Sequence, residues 1–478
     1  MCLPVVTCQY VPLVDYPSHL ARVYIEAHYD EVPAYQQNFV RTNELLPNLA
    51  VDLIGRFLLH FMGIITFSRV FLGLTVLLFA LGCHMLSSAI RGRRTMVAIL
   101  CAYLVYNSML LYGFVNYVFG LGMFCVTLAC FLRYRQEWTP WRLLLVGALV
   151  FLSYFAHETA YAYIGASFFI VGTLEYRATR RWNRLLPGLC LLVPEALYYF
   201  AHRHHNLAAG IAWGSLRQKA IGMIVFATTY SARFDVVFLF LLLVILALAF
   251  RLSKKRYALD PVLAAGVFFL ACFVLAPYQW MGGSPVDSRF VVPGLLLVIL
   301  SVDWSIPRPY AGALFTACLL LFSCRVGAIW RIWHASDDEI RRQVEMLDRL
   351  PEGAAVYTAF LTADSGAPLS KIDRALQHVS EYATITRHAF IPTQLAKVGQ
   401  ETLLFRNQPR YKAPMLKSSD WITSMHEYEF VWSYAFPDSF EQILAANCSL
   451  VATAGKGKLW RVLAPHVLHE TQATAPQS

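Results

Sequence analysis

From about residue 67 to residue 331 apolar residues run in long stretches, broken by short polar linkers. A helix crossing a bilayer needs about 20 mostly apolar residues. The pattern predicts ten spans, at 67–90, 95–112, 117–133, 142–157, 159–176, 185–201, 234–251, 257–277, 289–304 and 310–331. The pattern before them differs. Pro17 can open a helix over Ser18–Asp30. Leu49, Leu53 and Phe57 then recur every fourth residue, with Asp52 and Arg56 between them. That predicts a second helix, about 49–64, lying along a membrane surface. After Trp333 the long runs stop. Asp337–Leu350 reads as a helix, Ala354–Leu361, Glu429–Tyr434 and Leu459–Leu463 read as strands, and the tail from His466 reads as disordered.

Composition agrees with a chain that crosses a membrane many times. Of 478 residues, 57% are hydrophobic and only 15% charged, and the mean hydropathy is +0.49. Soluble domains are nearer half apolar and about a quarter charged. A disordered chain, a basic nucleic-acid-binding domain and a disulfide-stapled module are excluded. Most of the eleven cysteines sit within apolar runs and none forms a CxxC pair.

The net charge of +10 is spread through the linkers rather than gathered on one face. Alternate linkers between the spans carry 15 and 5 Lys/Arg. The positive-inside rule puts the richer set in the cytoplasm. Residues 1–66 and 334–478 then lie outside. The first of these has no signal-peptide pattern. MCLPVVTCQYVPLV is apolar but too short to cross, and reads as the outer end of a first helix whose beginning is missing. The expected domains are a first outer segment (1–66), a helical membrane bundle (67–333) and a small outer α/β domain (334–478).

Ionisable groups at membrane depth are costly and face a bundle interior or a wet cavity. Asp15 precedes the first helix, and His19, Arg22 and Glu26 share one of its faces. Such a carboxylate can take a proton from a hydroxyl, and the histidine and arginine suit phosphate oxygens. The alternative has Asp15 capping the helix and Arg22 pairing with Glu26. His157 and Glu158 interrupt an apolar stretch at a hairpin tip. Asp287 and Arg289 end a loop rich in glycine and proline; Arg289 either clamps a lipid phosphate or pairs with Asp287. Gly113 and Asn116 suit a tight turn. His202, His204 and His205 read as interfacial histidines rather than as a metal site. No phosphate-binding loop, GxSxG or HExxH motif is present.

This layout resembles the GT-C class of membrane glycosyltransferases. The stretch VDYPSHLAR (14–22) also resembles the D-x-P-x-H-L-A-R start of bacterial integral membrane proteins, and GFVNYVFGLG (113–122) and GSPVDSRF (283–290) are similar to segments of the same group. The resemblance implies an all-α polytopic bundle with an outer α/β domain in a bacterial plasma (inner) membrane. It implies transfer of a sugar from a polyprenyl-phosphate donor to a glycan, lipid or protein in the cell envelope. Asp15 would be the general base, and Arg22 and Arg289 would hold the leaving phosphate, with His19, Glu26, His157, Glu158 and Asp287 lining the substrate. A divalent ion is compatible with this chemistry, but no metal ligand set or cofactor is readable, and membrane lipids are the expected surroundings. The family carries an adjacent acidic pair where this chain has Asp15 alone. The rival readings are a transporter or flippase, against which no inverted repeat is seen, and a non-catalytic envelope assembly protein.

Overall fold

Helix is the natural state of the apolar runs, because in hydrocarbon every backbone N–H and C=O must be satisfied within its own segment. A computed structural model describes residues 1–464, apart from 43, 45, 93–97, 99–100, 102, 192–209, 228–229, 253–259, 281–282, 303, 362–370, 397 and 416–417. The chain is mostly helical, with a small strand region toward its C-terminus. It divides into two units: Met1–Thr7, Leu46–Val51 and Arg69–Ile332; and Cys8–Leu45, Asp52–Ser68 and Trp333–Ser478.

Among the described residues four helices are long and apolar enough to cross a membrane: Ile64–Arg91, Val115–Tyr134, Arg233–Leu252 and Arg308–Leu347. Pro140–Ala156 and Pro261–Leu275 are shorter apolar helices. Glu158–Thr179 and Val291–Ser301 occupy two more of the expected spans. The span expected at 95–112 is not one continuous helix: from Tyr103 on it is a single-turn 3-10 helix, Tyr103–Val105, and a short helix, Ser108–Leu111, that starts afresh because the Asn107 side chain accepts from the Met109 and Leu110 amides. Most of the expected span at 185–201, the histidines at 202–205 and the tail from His466 lie outside the described residues.

In the first unit Val115–Tyr134 is almost wholly buried and packs against Pro140–Ala156 and Glu158–Thr179. Small residues set its close contacts. A Cβ on Gly122 would stand 2.9 Å from Leu78 Cγ and 3.0 Å from the Phe79 nitrogen. Close helix approach through glycine is how helices associate in lipid, where burying apolar surface gives no drive. Arg233–Leu252, by contrast, leaves most of its apolar surface open. Among the described residues two ion pairs are buried in this unit. Arg325 donates to Asp235 Oδ1 (2.6 Å) and to the carbonyls of Tyr106 and Ala227. Lys219 donates to Asp287 Oδ2 (2.7 Å) and to the carbonyls of Phe273 and Ala276.

The second unit holds a four-stranded sheet in the order Val356–Phe360, Phe430–Tyr434, Gly457–Val462, Cys448–Ala454. The first pair is parallel and the others antiparallel. Tyr357, Trp421, Met425, Val431 and Trp460 belong to its apolar core. A two-stranded ribbon, Phe39–Arg41 against Leu403–Phe405, joins residues from opposite ends of the chain. The same joining recurs along the helix Tyr16–His28. Ser18 Oγ accepts from the Leu395 amide (2.9 Å), and Gln394 Nε2 donates to the Ser18 carbonyl (2.7 Å).

Two further elements differ from the sequence expectation. The surface helix expected at 49–64 ends at Leu58, and a turn leads to the start of the next helix at Ile64. The span expected to stop at 331 and the helix expected at 337–350 are one 40-residue helix, Arg308–Leu347.

Candidate functional site

In the second unit the chemistry gathers around the start of Tyr16–His28. Pro17 sits in the first turn, where its missing N–H costs nothing. Asp15 stands at the N-cap position, but its side chain makes no capping hydrogen bond. Its carboxylate Oδ1 lies 3.6 Å from His378 Nε2. The other ring nitrogen of His378, Nδ1, is hydrogen-bonded to Glu381 Oε1, which also accepts from Thr393 Oγ1 (3.2 Å). Glu381 is fully buried and its Oε2 has no hydrogen-bond partner.

Exposure orders this row. The side chain of Asp15 is 23% exposed, that of His378 8% and that of Glu381 0%. Asp15 is therefore the end that meets solvent, and Glu381 is the buried anchor. Burial pushes the His378 imidazole down, but the Glu381 carboxylate with its hydrogen bond, joined by Asp15, outweighs that and leaves it above its ordinary value. His378, set between two carboxylates, has its protonated form favoured by both and stands beside the Asp15 carboxylate at 3.6 Å.

The next turns of the helix are committed inward. Arg22 is fully buried and grips Asp52 bidentately, Nε to Oδ1 at 2.8 Å and Nη2 to Oδ2 at 3.0 Å. Its Nη1 pairs with Glu401. Arg22 is thus enclosed by carboxylates rather than open to a phosphate. His19 Nδ1 accepts from Arg22 Nη2 (3.0 Å). Burial first, then Arg22 and His378, hold His19 well below its ordinary value, which suits a neutral ring with a lone pair toward the arginine. Glu26 does not pair with Arg22; its Oε1 accepts from Thr402 Oγ1. Burial, with Asp52 adding to it against the opposing pull of Thr402, Arg22 and Arg56, pushes Glu26 up to about 7.

The first unit holds the remaining expected residues. His157 is in extended backbone between two helices, where it caps Glu158–Thr179: its Nδ1 accepts from the Thr159 amide (3.1 Å). A Cβ on Gly120 would stand 2.9 Å from His157 Cβ, so a glycine is needed for the hairpin tip to seat. The His157 ring meets Tyr117 edge-on at 5.4 Å. The Glu158 amide donates to Asn48 Oδ1 (3.0 Å). Asn116 does more than make a turn: its Oδ1 accepts from the Val51 amide (2.9 Å) and its Nδ2 donates to the Asn48 carbonyl.

Asp287 is taken by Lys219, which decides what Arg289 can do. Among the described residues no carboxylate lies within 4 Å of the Arg289 guanidinium. It sits over the Phe114 ring (5.2 Å), and its Nε is buried without a hydrogen-bond partner. Its backbone carbonyl accepts from Tyr117 Oη (2.5 Å). Tyr163 Oη, in the same unit, is also buried without a partner. An arginine fixed by its backbone, flanked by aromatic rings and short of an anion is a ready phosphate site.

The expected site residues thus fall into two sets. Asp15, His19, Arg22 and Glu26 belong with Asp52, His378, Glu381, Glu401 and Thr402, and His157, Glu158, Asp287 and Arg289 with Tyr117, Tyr163 and Lys219. Sequence reasoning missed His378 and Glu381. HVSE (378–381) places the two groups three residues apart, but nothing in the sequence links that stretch to Asp15, 363 residues earlier. Among the described residues one further group could hold a metal. Cys8, His334 and Asp337 bring one ligand atom each within 4.8 Å of one another. The chain matches no known protein family, no curated protein and no solved structure.

Proposed function

We propose that this chain is a membrane glycosyltransferase of the GT-C plan, moving a sugar from a polyprenyl-phosphate donor to a hydroxyl of an envelope glycan, lipid or protein. The observation that carries the reading is Asp15. Its carboxylate begins a helix without capping it, keeps a solvent-facing side and is backed by a buried His378–Glu381 pair. In this reaction the acceptor oxygen bonds to the anomeric carbon as the bond from that carbon to the phosphate oxygen breaks. Asp15 takes the acceptor proton, and the lipid phosphate leaves as an anion. His378 and Glu381 act as positioning residues that fix the Asp15 carboxylate. Arg289, in the first unit, is short of an anion and is proposed as a phosphate-binding group in its own right. Arg22 leaves the reaction and becomes structural.

The same proposal includes ten spans with the C-terminal region outside a bacterial plasma membrane. Four membrane-length helices and the uneven distribution of Lys/Arg among the linkers support it.

The test is mass spectrometry of glycolipids and surface glycans in a deletion strain complemented with wild type, Asp15→Asn or His378→Gln. Deletion should accumulate a polyprenyl-phosphate sugar and lose one glycan decoration. Wild type should restore the decoration, Asp15→Asn should not at equal protein level, and His378→Gln should restore it in part. Full restoration by Asp15→Asn overturns the base assignment. An unchanged lipid and glycan profile on deletion favours transport or an assembly role.

A further inference from the structure

We propose that Cys8, His334 and Asp337 form a zinc site. His334 and Asp337 lie three residues apart on the helix Arg308–Leu347, a spacing that sets two side chains on one face. Cys8 follows the short helix Leu3–Thr7. One ligand atom from each residue lies within 4.8 Å of the others. Thiolate, imidazole and carboxylate are the ligands zinc takes, at about 2.3, 2.0–2.1 and 2.0–2.2 Å respectively. A tetrahedral ion with such bonds holds its donors roughly 3.3–3.8 Å apart, so a small contraction closes the site.

The surroundings hold it in place. Asp337 Oδ2 accepts from the Gln9 amide (2.9 Å) and Oδ1 from the Tyr10 amide (2.7 Å). Arg341 Nη2 donates to the same Oδ2 (3.3 Å). These bonds fix the two residues after Cys8 and so present its sulfur to the helix. Oδ1, with the Tyr10 amide as its one donor, keeps a second lone pair for a metal.

Burial shows how an ion enters. Cys8 and Asp337 are buried and His334 is exposed, so the route in runs past the imidazole, and the fourth position is left to water. Binding releases the Cys8 thiol proton to solvent and forms the zinc–sulfur bond. The ion clips the chain near its start to this helix. The proposal is independent of the glycosyltransferase reading.

The experiment uses the full chain in detergent micelles, stripped with a chelator and titrated with zinc against a chromophoric chelator. Wild type should take one more equivalent than Cys8→Ser or His334→Gln. Cobalt in place of zinc should give a thiolate charge-transfer band that Cys8→Ser loses. Zinc should raise the thermal midpoint of wild type more than that of either variant. His334→Gln changes an exposed side chain, so it decides the matter even if Cys8→Ser fails to fold. Equal zinc uptake by wild type and His334→Gln, or a cobalt spectrum without a thiolate band, overturns the proposal.

Discussion

Arg22 illustrates how burial changes what a residue is for. A guanidinium enclosed by Asp52 and Glu401 cannot be removed without leaving carboxylates buried and unpaired. Arg22→Ala should cost about 3–5 kcal/mol, read as a loss in thermal or denaturant stability. Glu26 gives a pH signature. Its folded-state value is raised to about 7, so its contribution is full below about 4.5 and is lost as pH rises toward 7 and beyond. His378, also raised, loses its contribution as pH climbs past its own elevated value, so both act in one direction. His19, held low, acts the other way but only below its ordinary value of 6.5, so stability should fall as pH rises from there into the mildly alkaline range, and Glu26→Gln should flatten that fall, followed by thermal unfolding across a pH series. At this scale the sequence exposed half of each arrangement. Asp15, Glu26 and Arg289 stood out because ionisable groups amid apolar residues are rare. Their partners did not, because Glu381, Glu401 and Thr402 sit in ordinary polar stretches and are joined to them only by the fold.

Helices built of long apolar runs were legible because hydrophobicity alone defines them. Ile64–Arg91 and Val115–Tyr134 fall within a few residues of the stretches read as spans. The strand Cys448–Ala454 was not legible. An irregularity between Leu450 and Ala452 breaks its pairing with Gly457–Val462, and with it the alternation that marks a strand. The joined helix Arg308–Leu347 was missed for a different reason. Composition changes at Trp333, but no proline follows until Pro351, and a helix stops for a lost backbone bond, not for a change of solvent. The glycine contacts test the packing of these elements. Gly122→Val drives a side chain into Leu78 and the Phe79 backbone. It should cost about 1–3 kcal/mol or more, measured as a lower unfolding midpoint in micelles with no change at low temperature in helix content.

The molecule as a whole is mostly helical, with a strand-bearing unit whose residues come from both ends of the sequence. Ordering residues by sequence hides this, because composition marks out residues 1–66 and 334–478 as separate stretches. Their shared core appears only in contacts such as Tyr35 Oη to the Thr384 carbonyl (2.7 Å) and Phe39 stacked on Phe405. A chain cut after residue 332 should therefore lose order in residues 8–45, not only the region removed. Limited proteolysis of the truncated and full chains in micelles would read this as new cleavage between Tyr16 and Arg41.

The same ribbon and hydrogen bonds set a clock on biosynthesis. Ser18, Arg22 and Tyr35 wait for Gln394, Glu401 and Thr384, which are made some 350 to 380 residues later. At roughly 5–20 residues per second, the early segment leaves the ribosome about 20–70 seconds before its partners exist. During that interval Arg22 faces water without Glu401, and the apolar side of its helix is uncovered. A newborn chain of this kind depends on something to shelter it until the last strands arrive.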